Sequence, residues 1–525
     1  MGVKRRTVLG GLAALAVGGA VTGCNSDSGV SGGSGGGSGG AKALVVDDQF
    51  DVKTIDPARQ FEPTGSTLDQ QIYQQALTFT GTDVKKVQPD ICSYQISSDN
   101  KIVTLKIEGK HTFSDGTEVT ADDIVFSYQR VQGIKGNPSF MLDGVTVEKV
   151  DDSTVKLTSE APNPQLPYIL PNASLSIVNS KVVKQNGGTT GTDDKAEQFL
   201  NEKSQGSGAY MVESYNAQSK ITLKPNPHYA GDKPVYGRIV MENVTADSQK
   251  VNLLGGTAQI ATGIAPDEIA SLDTSKAQLI KGTSTTTIFL WFNADPKYGK
   301  AVSDVHFVNA MRHAVDYQEV LKVAGVGSVQ PGGLVPVSFL GALESDEANS
   351  YDAAEAKREL AASPYNGEPI TVLYSNDVGY SLDEVAQTVQ AQVKKVGINL
   401  KLAPQPSATS LDRFRSGKQQ AGIAYWGADY PDPADYLVFA PGQSVAVRAA
   451  WTPARGKAAA ALAKKAAAIT DNDDRAAAYQ ELQREFNRSG PWIPLYQPPA
   501  VTVAAPTLKN VVDNPATGIL YRNIT

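Results

Sequence analysis

Alternation of polar and apolar residues marks the first half of the chain. Lys101-Ile102-Val103-Thr104-Leu105-Lys106-Ile107 reads as a half-buried strand, and Thr154-Val155-Lys156-Leu157 and Ile221-Thr222-Leu223 are similar. Asp115-Gly116 is a turn signal ahead of a helix-like stretch from Ala121 to Val131. The region from Ala43 to about Thr285 is therefore expected to be mixed α/β and rich in short strands. From Thr287 to about Phe486 the period changes. Phe307, Ala310, Met311, Ala314 and Val315 fall on one helical face, which predicts an amphipathic helix with Arg312, His313 and Asp316 turned outward. Ile370 to Tyr374 reads as a strand. Ser381-x-x-Glu384 then reads as a capping box opening a helix that buries Leu382, Val385, Val389, Val393 and Val396 and closes at Gly397. Ile398 to Leu402, a short helix from Ser410 to Phe414, and Gly422 to Trp426 complete a β-α-β-α-β unit, which predicts a parallel sheet with right-handed crossovers. An Ala-rich helical stretch from Lys457 to Phe486 follows, interrupted at Asp471-Asn472-Asp473-Asp474.

The first 40 residues have a different logic. Lys4-Arg5-Arg6 precedes an apolar run from Val8 to Val21, which is shorter than the roughly 20 residues a spanning helix needs. A basic start, a short apolar core and the small residues before Cys24 make residues 1–23 a secretory signal peptide. Arg5-Arg6-Thr7-Val8-Leu9 looks like a twin-arginine export signal. Val21-Thr22-Gly23-Cys24 resembles a bacterial lipobox, in which the Cys thiol is acylated. Residues 24–42 would then be the lipidated Cys24 and a flexible Gly/Ser tether. The expected location is the outer face of the cell membrane, with the body held there as a lipoprotein.

Charge and composition narrow the function classes. The net charge is −7, and removing the leader takes away Lys4, Arg5 and Arg6 as well. An acidic body argues against nucleic acid and against electrostatic docking on anionic lipid. The length calls for at least two lobes, since single cores stop growing near 250–300 residues. Cys92 is the only other Cys, so no intramolecular disulfide is expected once Cys24 is lipidated, and Cys92 is expected to be buried. His111, His228, His306 and His313 are scattered with no metal-ligand spacing, so neither metal nor cofactor is expected.

Enzyme motifs find little support. Gly32-Gly33-Ser34-Gly35-Gly36 formally fits G-x-S-x-G, and Gly35, Gly37 and Gly40 fit G-x-G-x-x-G, but both lie in the tether. A binding cleft is better supported. Ligands of open α/β sheets bind beyond the C-terminal ends of the strands. The strand ending at Tyr425-Trp426 runs there into Gly427-Ala428-Asp429-Tyr430-Pro431-Asp432-Pro433. Trp426 offers a flat apolar wall, Asp429 a partner for a cation, and exposed strand backbone could pair with an extended peptide. The same residues also suit an ordinary loop with Trp426 packed into core, and the local pattern does not separate the two readings. Arg448, placed on the same C-terminal side of the strand, is the candidate counter-charge for a ligand carboxylate.

Five segments, in order, resemble the extracytoplasmic solute-binding proteins of peptide-type ABC importers, the oligopeptide- and dipeptide-binding family, between about Ala43 and about Val511. Ile55-Asp56-Pro57 resembles an early Leu-Asp-Pro. The run from Thr112 to Ile124 resembles F-x-DG-x-x-x-T-A-x-D-V, and Gly206-Ser207-Gly208-Ala209-Tyr210 resembles Gly-Thr-Gly-Pro-Tyr. Asn293, Asp304, Ala310, Ala314 and Asp316 match a helix entry, and Pro491 to Tyr496 the closing W-I-P-L-Y. The resemblance implies an α/β two-lobed periplasmic-binding-protein clamshell with an extra small α+β domain on the first lobe. Residues 43–80, 205–285 and 490–525 would form lobe I, 81–204 the extra domain, and 286–489 lobe II. Trp426-Gly427-Ala428-Asp429-Tyr430 matches the family's Trp-x-Ala-Asp-Tyr, where the Asp holds the ligand α-ammonium. Phe61 and Glu62, in the loop from Phe61 to Thr64, would face it from the other lobe. Ile423, Ser407 and Val308 depart from the family, the first two at positions that in some members hold the ligand carboxylate or line the ligand. The implied function is a monomeric, non-enzymatic receptor that captures short peptides for an ABC permease. The alternatives are an oligosaccharide, opine or metal chelate on the same fold, or a secreted lipoprotein hydrolase.

Overall fold

The computed structural model describes residues 42–282 and 284–525, with Asp267 described in its backbone only. The expected leader, the Cys24 acylation site and the tether up to Ala41 lie outside the described residues. Three sheets organise the body. The first has seven strands in the order Gln278–Gly282, Ala500–Ala504, Ile260–Ala261, Ala43–Asp48, Arg238–Asn243, Lys220–Pro225 and Tyr210–Asn216. The second has five, in the order Leu400–Gln405, Ile370–Ser375, Ala421–Gly427, Thr286–Phe292 and Trp492–Tyr496. The third is a four-stranded antiparallel sheet between Cys92 and Ser159, covered by the helix Ala121–Ile134. Two chain crossings join the first two sheets, one from Gly282 to Thr286 and one from Tyr496 to Ala500. This is a two-lobed clamshell with a small α+β domain on the first lobe.

The β-α-β-α-β unit forms as the periodicity predicts, with Ile370–Ser375 parallel to both Leu400–Gln405 and Ala421–Gly427. The sheet as a whole is mixed, however, because Thr286–Phe292 enters from the first lobe and runs antiparallel to both Ala421–Gly427 and Trp492–Tyr496, the strand that leads back out. Both faces of this sheet are covered. Ile288, Leu290 and Phe292 pack into one core and Phe289 and Trp291 into the other, which is why the strand reads as a continuous apolar run. Cys92 is fully buried, and burial pushes its thiol up to about 12.

Two sequence expectations are corrected. Ser381 does not cap its helix by a capping box. It sits at φ 53°, in the left-handed region, with no side-chain capping bond. Arg312 is not turned outward but is 2 % exposed, donating to the carbonyls of Phe486 (3.2 Å), Gly490 and Trp492 (3.1 Å). Those carbonyls stand at the end of the helix Asn472–Ser489 and at the strand that follows, where the negative end of the helix draws a cation inward.

Most of the recurring motifs are scaffold. Asp304 and Asp316 cap consecutive helices, each accepting from two backbone amides. Asn293 donates to Gly417 O and Gln419 O, both at 2.9 Å, tying a strand end to the loop before Ala421. Gly206 and Gly208 lie against the chain at Ile72: a Cβ would fall 2.2 Å from Ile72 O at the first and 2.5 Å from Ile72 C at the second, so no larger residue fits.

Candidate ligand-binding cleft

The strand Ala421–Gly427 ends at the gap between the lobes, and its alternation decides what faces that gap. Tyr425 and Gly427 line a cleft of about 600 Å³ together with Ala428, Asp429 and Tyr430. Opposite stand Phe61, Pro63, Thr67 and Gln70, the last three on the helix Pro63–Ile72, with the segment Asp513–Gly518 closing a further side. Trp426 takes the other face of its strand. Its ring meets Phe439 edge-on at 5.5 Å and its Nε1 donates to Asp435 Oδ2 at 3.5 Å. It walls a neighbouring hollow of about 420 Å³ that shares Asp429 and Tyr430 with the main cleft. A third hollow, of about 620 Å³, continues past Pro63, Thr67, Tyr380 and Asp513.

Asp429 is held by its backbone, leaving its carboxylate free. Its N–H donates to Asp435 Oδ2 at 3.1 Å, and its carbonyl accepts from Asn172 Nδ2 at 3.1 Å across the gap. The side chain has no hydrogen bond or ion pair among the described residues. Burial pushes its carboxyl up to about 6. Asp435, 3 % exposed, is raised further, by burial first and by the neighbouring Asp429 second. Two carboxyls thus sit together with no cation beside them among the described residues, an arrangement that a bound cation would relieve.

Two expected residues are not brought to this site. Glu62 takes no place in the cleft wall, because Lys53 Nζ holds its carboxylate at 2.5 Å and Phe61 N donates to it at 3.2 Å. Arg448 lies at the wrong end of the strand. Its guanidinium covers the Phe414 ring at 5.2 Å and its carbonyl abuts Gly417, both ahead of Ala421, so it cannot reach the C-terminal end where Asp429 sits. Phe61 does face the cleft and meets Phe140 edge-on at 6.0 Å. Asp435, Tyr380, Asn172 and Asp513 were missed. Asp435 was within reach, six residues past Asp429 in an Asp-rich loop. The others come close only through tertiary contacts.

The family model described as bacterial extracellular solute-binding proteins, family 5 middle, matches residues 86–445. The chain belongs to this family. It is the family of peptide-type ABC importers that the motifs imply. Among its relatives is the probable D,D-dipeptide-binding periplasmic protein DdpA of Escherichia coli, 26% identical over 496 residues, covering 90% of this chain and 92% of that one. Heme-binding protein A of Haemophilus influenzae is 24% identical over 496 residues, covering 87% and 88%. Among solved structures, the substrate-binding protein CtaP of Listeria monocytogenes superposes with a TM-score of 0.81 at 19% identity, covering 92% of this solute-binding protein and 99% of its own chain. DppA of Helicobacter pylori, solved with the peptide STSA, gives a TM-score of 0.71 at 21% identity, covering 92% and 97%. The relatives named here are binding proteins, and the superpositions establish the fold.

Proposed function

We propose that this protein is the extracytoplasmic receptor of an ABC importer, lipid-anchored through Cys24, that captures short peptides by their α-ammonium and delivers them to a permease. One observation carries the peptide reading. The carboxylate of Asp429 has no partner among the described residues, is partly buried, and borders a cleft at the C-terminal end of a parallel strand, where a ligand ammonium would complete it. The peptides named for DdpA and DppA support this reading. We further propose that residues 43–80, 205–285 and 490–525 move as one body against 286–489, bending at the two crossings. Gln497 Nε2 donates to Ser284 O at 2.7 Å and links those crossings.

Closure around ligand is the test. Tetra-alanine and a D,D-dipeptide are the first probes, with scattering and melting measured on the same samples. The radius of gyration should shrink on saturation, and the melting temperature should rise because ligand binds only the folded state. Identical scattering and melting with and without either probe would sink the peptide reading.

The anchor has its own test. Cys24→Ala should leave the protein unprocessed or release it to the medium, since a single acyl chain holds a protein only marginally and stable anchoring needs two signals. A variant that stays in the membrane fraction at the wild-type size would show that Cys24 is not the anchor.

A further inference from the structure

Some buried carboxylates elsewhere in the molecule are matched by guanidinium groups, while others, such as Asp69, are not. Asp56 and Asp194 share Arg130, and Asp432 pairs with Arg475 at 2.6 Å. The cleft gathers several carboxylates without such a match. Asp429, Asp435, Asp513, Asp48 and Asp51 line the three adjoining hollows, and none has an ion pair among the described residues. Among the described residues no Lys, Arg or His lines any of the three. Unpaired carboxylates in a partly buried wall are costly unless a ligand brings the missing charge.

Asp513 is the second focus. It borders both the main cleft and the hollow beyond it. Among the described residues its carboxylate accepts one hydrogen bond, a long one from Thr502 Oγ1 at 3.4 Å, and burial pushes its carboxyl up to about 6. Beside it, Thr517 lines the same cleft at 3 % exposure, and its hydroxyl has no partner. Asp513 and Asp429 also stand at neighbouring points of one segment. Asp513 Oδ2 lies 3.2 Å from where a Cβ on Gly282 would be, and Ala428 N donates to Thr285 O at 3.2 Å. Both carboxylates border the same cleft of about 600 Å³, so one short peptide can present an α-ammonium to one and a basic side chain to the other.

We infer that the cleft selects ligands with two cationic groups, one at Asp429 and the second at Asp513, and offers no wall position to a free carboxylate. The inference rests on the cleft being the ligand site. A ligand carboxylate meets no cation on these walls, only neutral donors, so it is disfavoured beside Asp429 and Asp513.

Calorimetry tests this with Ala-Ala-Lys amide, Ala-Ala-norleucine amide, Ala-Ala-Glu free acid and spermidine against wild type and Asp513→Asn. In the wild type the lysyl amide should bind about tenfold or more tighter than the norleucine amide, and the glutamyl acid weakest of all. The lysyl advantage should vanish in Asp513→Asn, while the melting temperature of the empty variant holds. Equal wild-type affinities for the two amides would overturn the second cation site and leave the peptide reading standing, with no need of the variant. A lysyl advantage that survives in a folded Asp513→Asn would also overturn it. Spermidine binding that weakens in Asp513→Asn, with no peptide binding, would uphold the two-cation site and remove the peptide reading. No binding of either peptides or spermidine would overturn both.

Discussion

Replacing Asp429 with Asn is expected to weaken binding of a short peptide with a free N-terminus by roughly 30-fold or more. Removing one partner of a buried, hydrogen-bonded charge pair costs about 2–5 kcal/mol, and each 1.4 kcal/mol is tenfold. The backbone bonds of Asp429 to Asp435 and Asn172 do not involve its side chain, so the loop should keep its shape in the variant. Linkage gives the sign of two pH effects. Burial raises the Asp429 carboxyl from 3.8 to about 6, so ionising it costs the empty protein stability as pH rises through that window. The empty Asn variant should therefore melt no lower than wild type at pH 7. Peptide affinity runs the other way, since the ammonium needs the ionised carboxylate. Wild-type binding should fall as pH drops below about 6, and the Asn variant should show no such fall in that range. Calorimetry of free and N-acetylated peptides against both proteins checks the assignment. Acetylated peptide should bind wild type poorly and lose little more on mutation. Equal binding of both peptides to wild type would show that Asp429 meets no ammonium.

The place of Asp429 is legible in part from local signals, and the match to Trp-x-Ala-Asp-Tyr singles it out. The β-α-β-α-β order predicts a strand from Gly422 to Trp426, within the observed Ala421–Gly427, and the general rule for open sheets puts the next residues at a ligand gap. Helix bounds were legible where capping was local, as at Asp471, whose side chain accepts from Asp473 N and Asp474 N and divides the Ala-rich stretch. What could not be read depends on long-range partners. Arg312 looks like a surface residue until the helix end at Phe486 and Gly490 supplies three carbonyls from more than 170 positions away. Glu62 looks like a site residue until Lys53 claims it. Arg448 is close to the strand in sequence, but the chain turns back and sets it over Phe414 at the far end. Asp513 carries no local pattern, and its place in the cleft is set by the crossing strands.

The largest stability effect is expected away from the cleft, at Arg130. This side chain is 1 % exposed and grips two fully buried carboxylates. Nη1 and Nη2 reach Asp56 at 2.5 and 2.6 Å, while Nε and Nη2 reach Asp194, both at 2.8 Å. The helix Ala121–Ile134 of the small domain is thereby pinned to the Ile55-Asp56-Pro57 turn, which explains the Asp of that motif. Arg130→Met keeps much of the volume and strands the carboxylates, with only Arg59 left beside them. Breaking a buried pair this way costs about 3–5 kcal/mol, measurable by urea unfolding. Because the cost lies in the stranded charge, adding Asp194→Asn to Arg130→Met should restore part of the loss. Salt should leave the gap unchanged, since buried pairs are little screened. Acid should narrow it. Burial alone would raise the Asp194 carboxyl, but Arg130 overcomes this and holds it at about 2. The stability it supplies is complete above about pH 4 and is lost as pH falls toward 2. A loss below about 1 kcal/mol at neutral pH would place Arg130 with ordinary exposed ion pairs and remove it as the pin between the small domain and the first lobe.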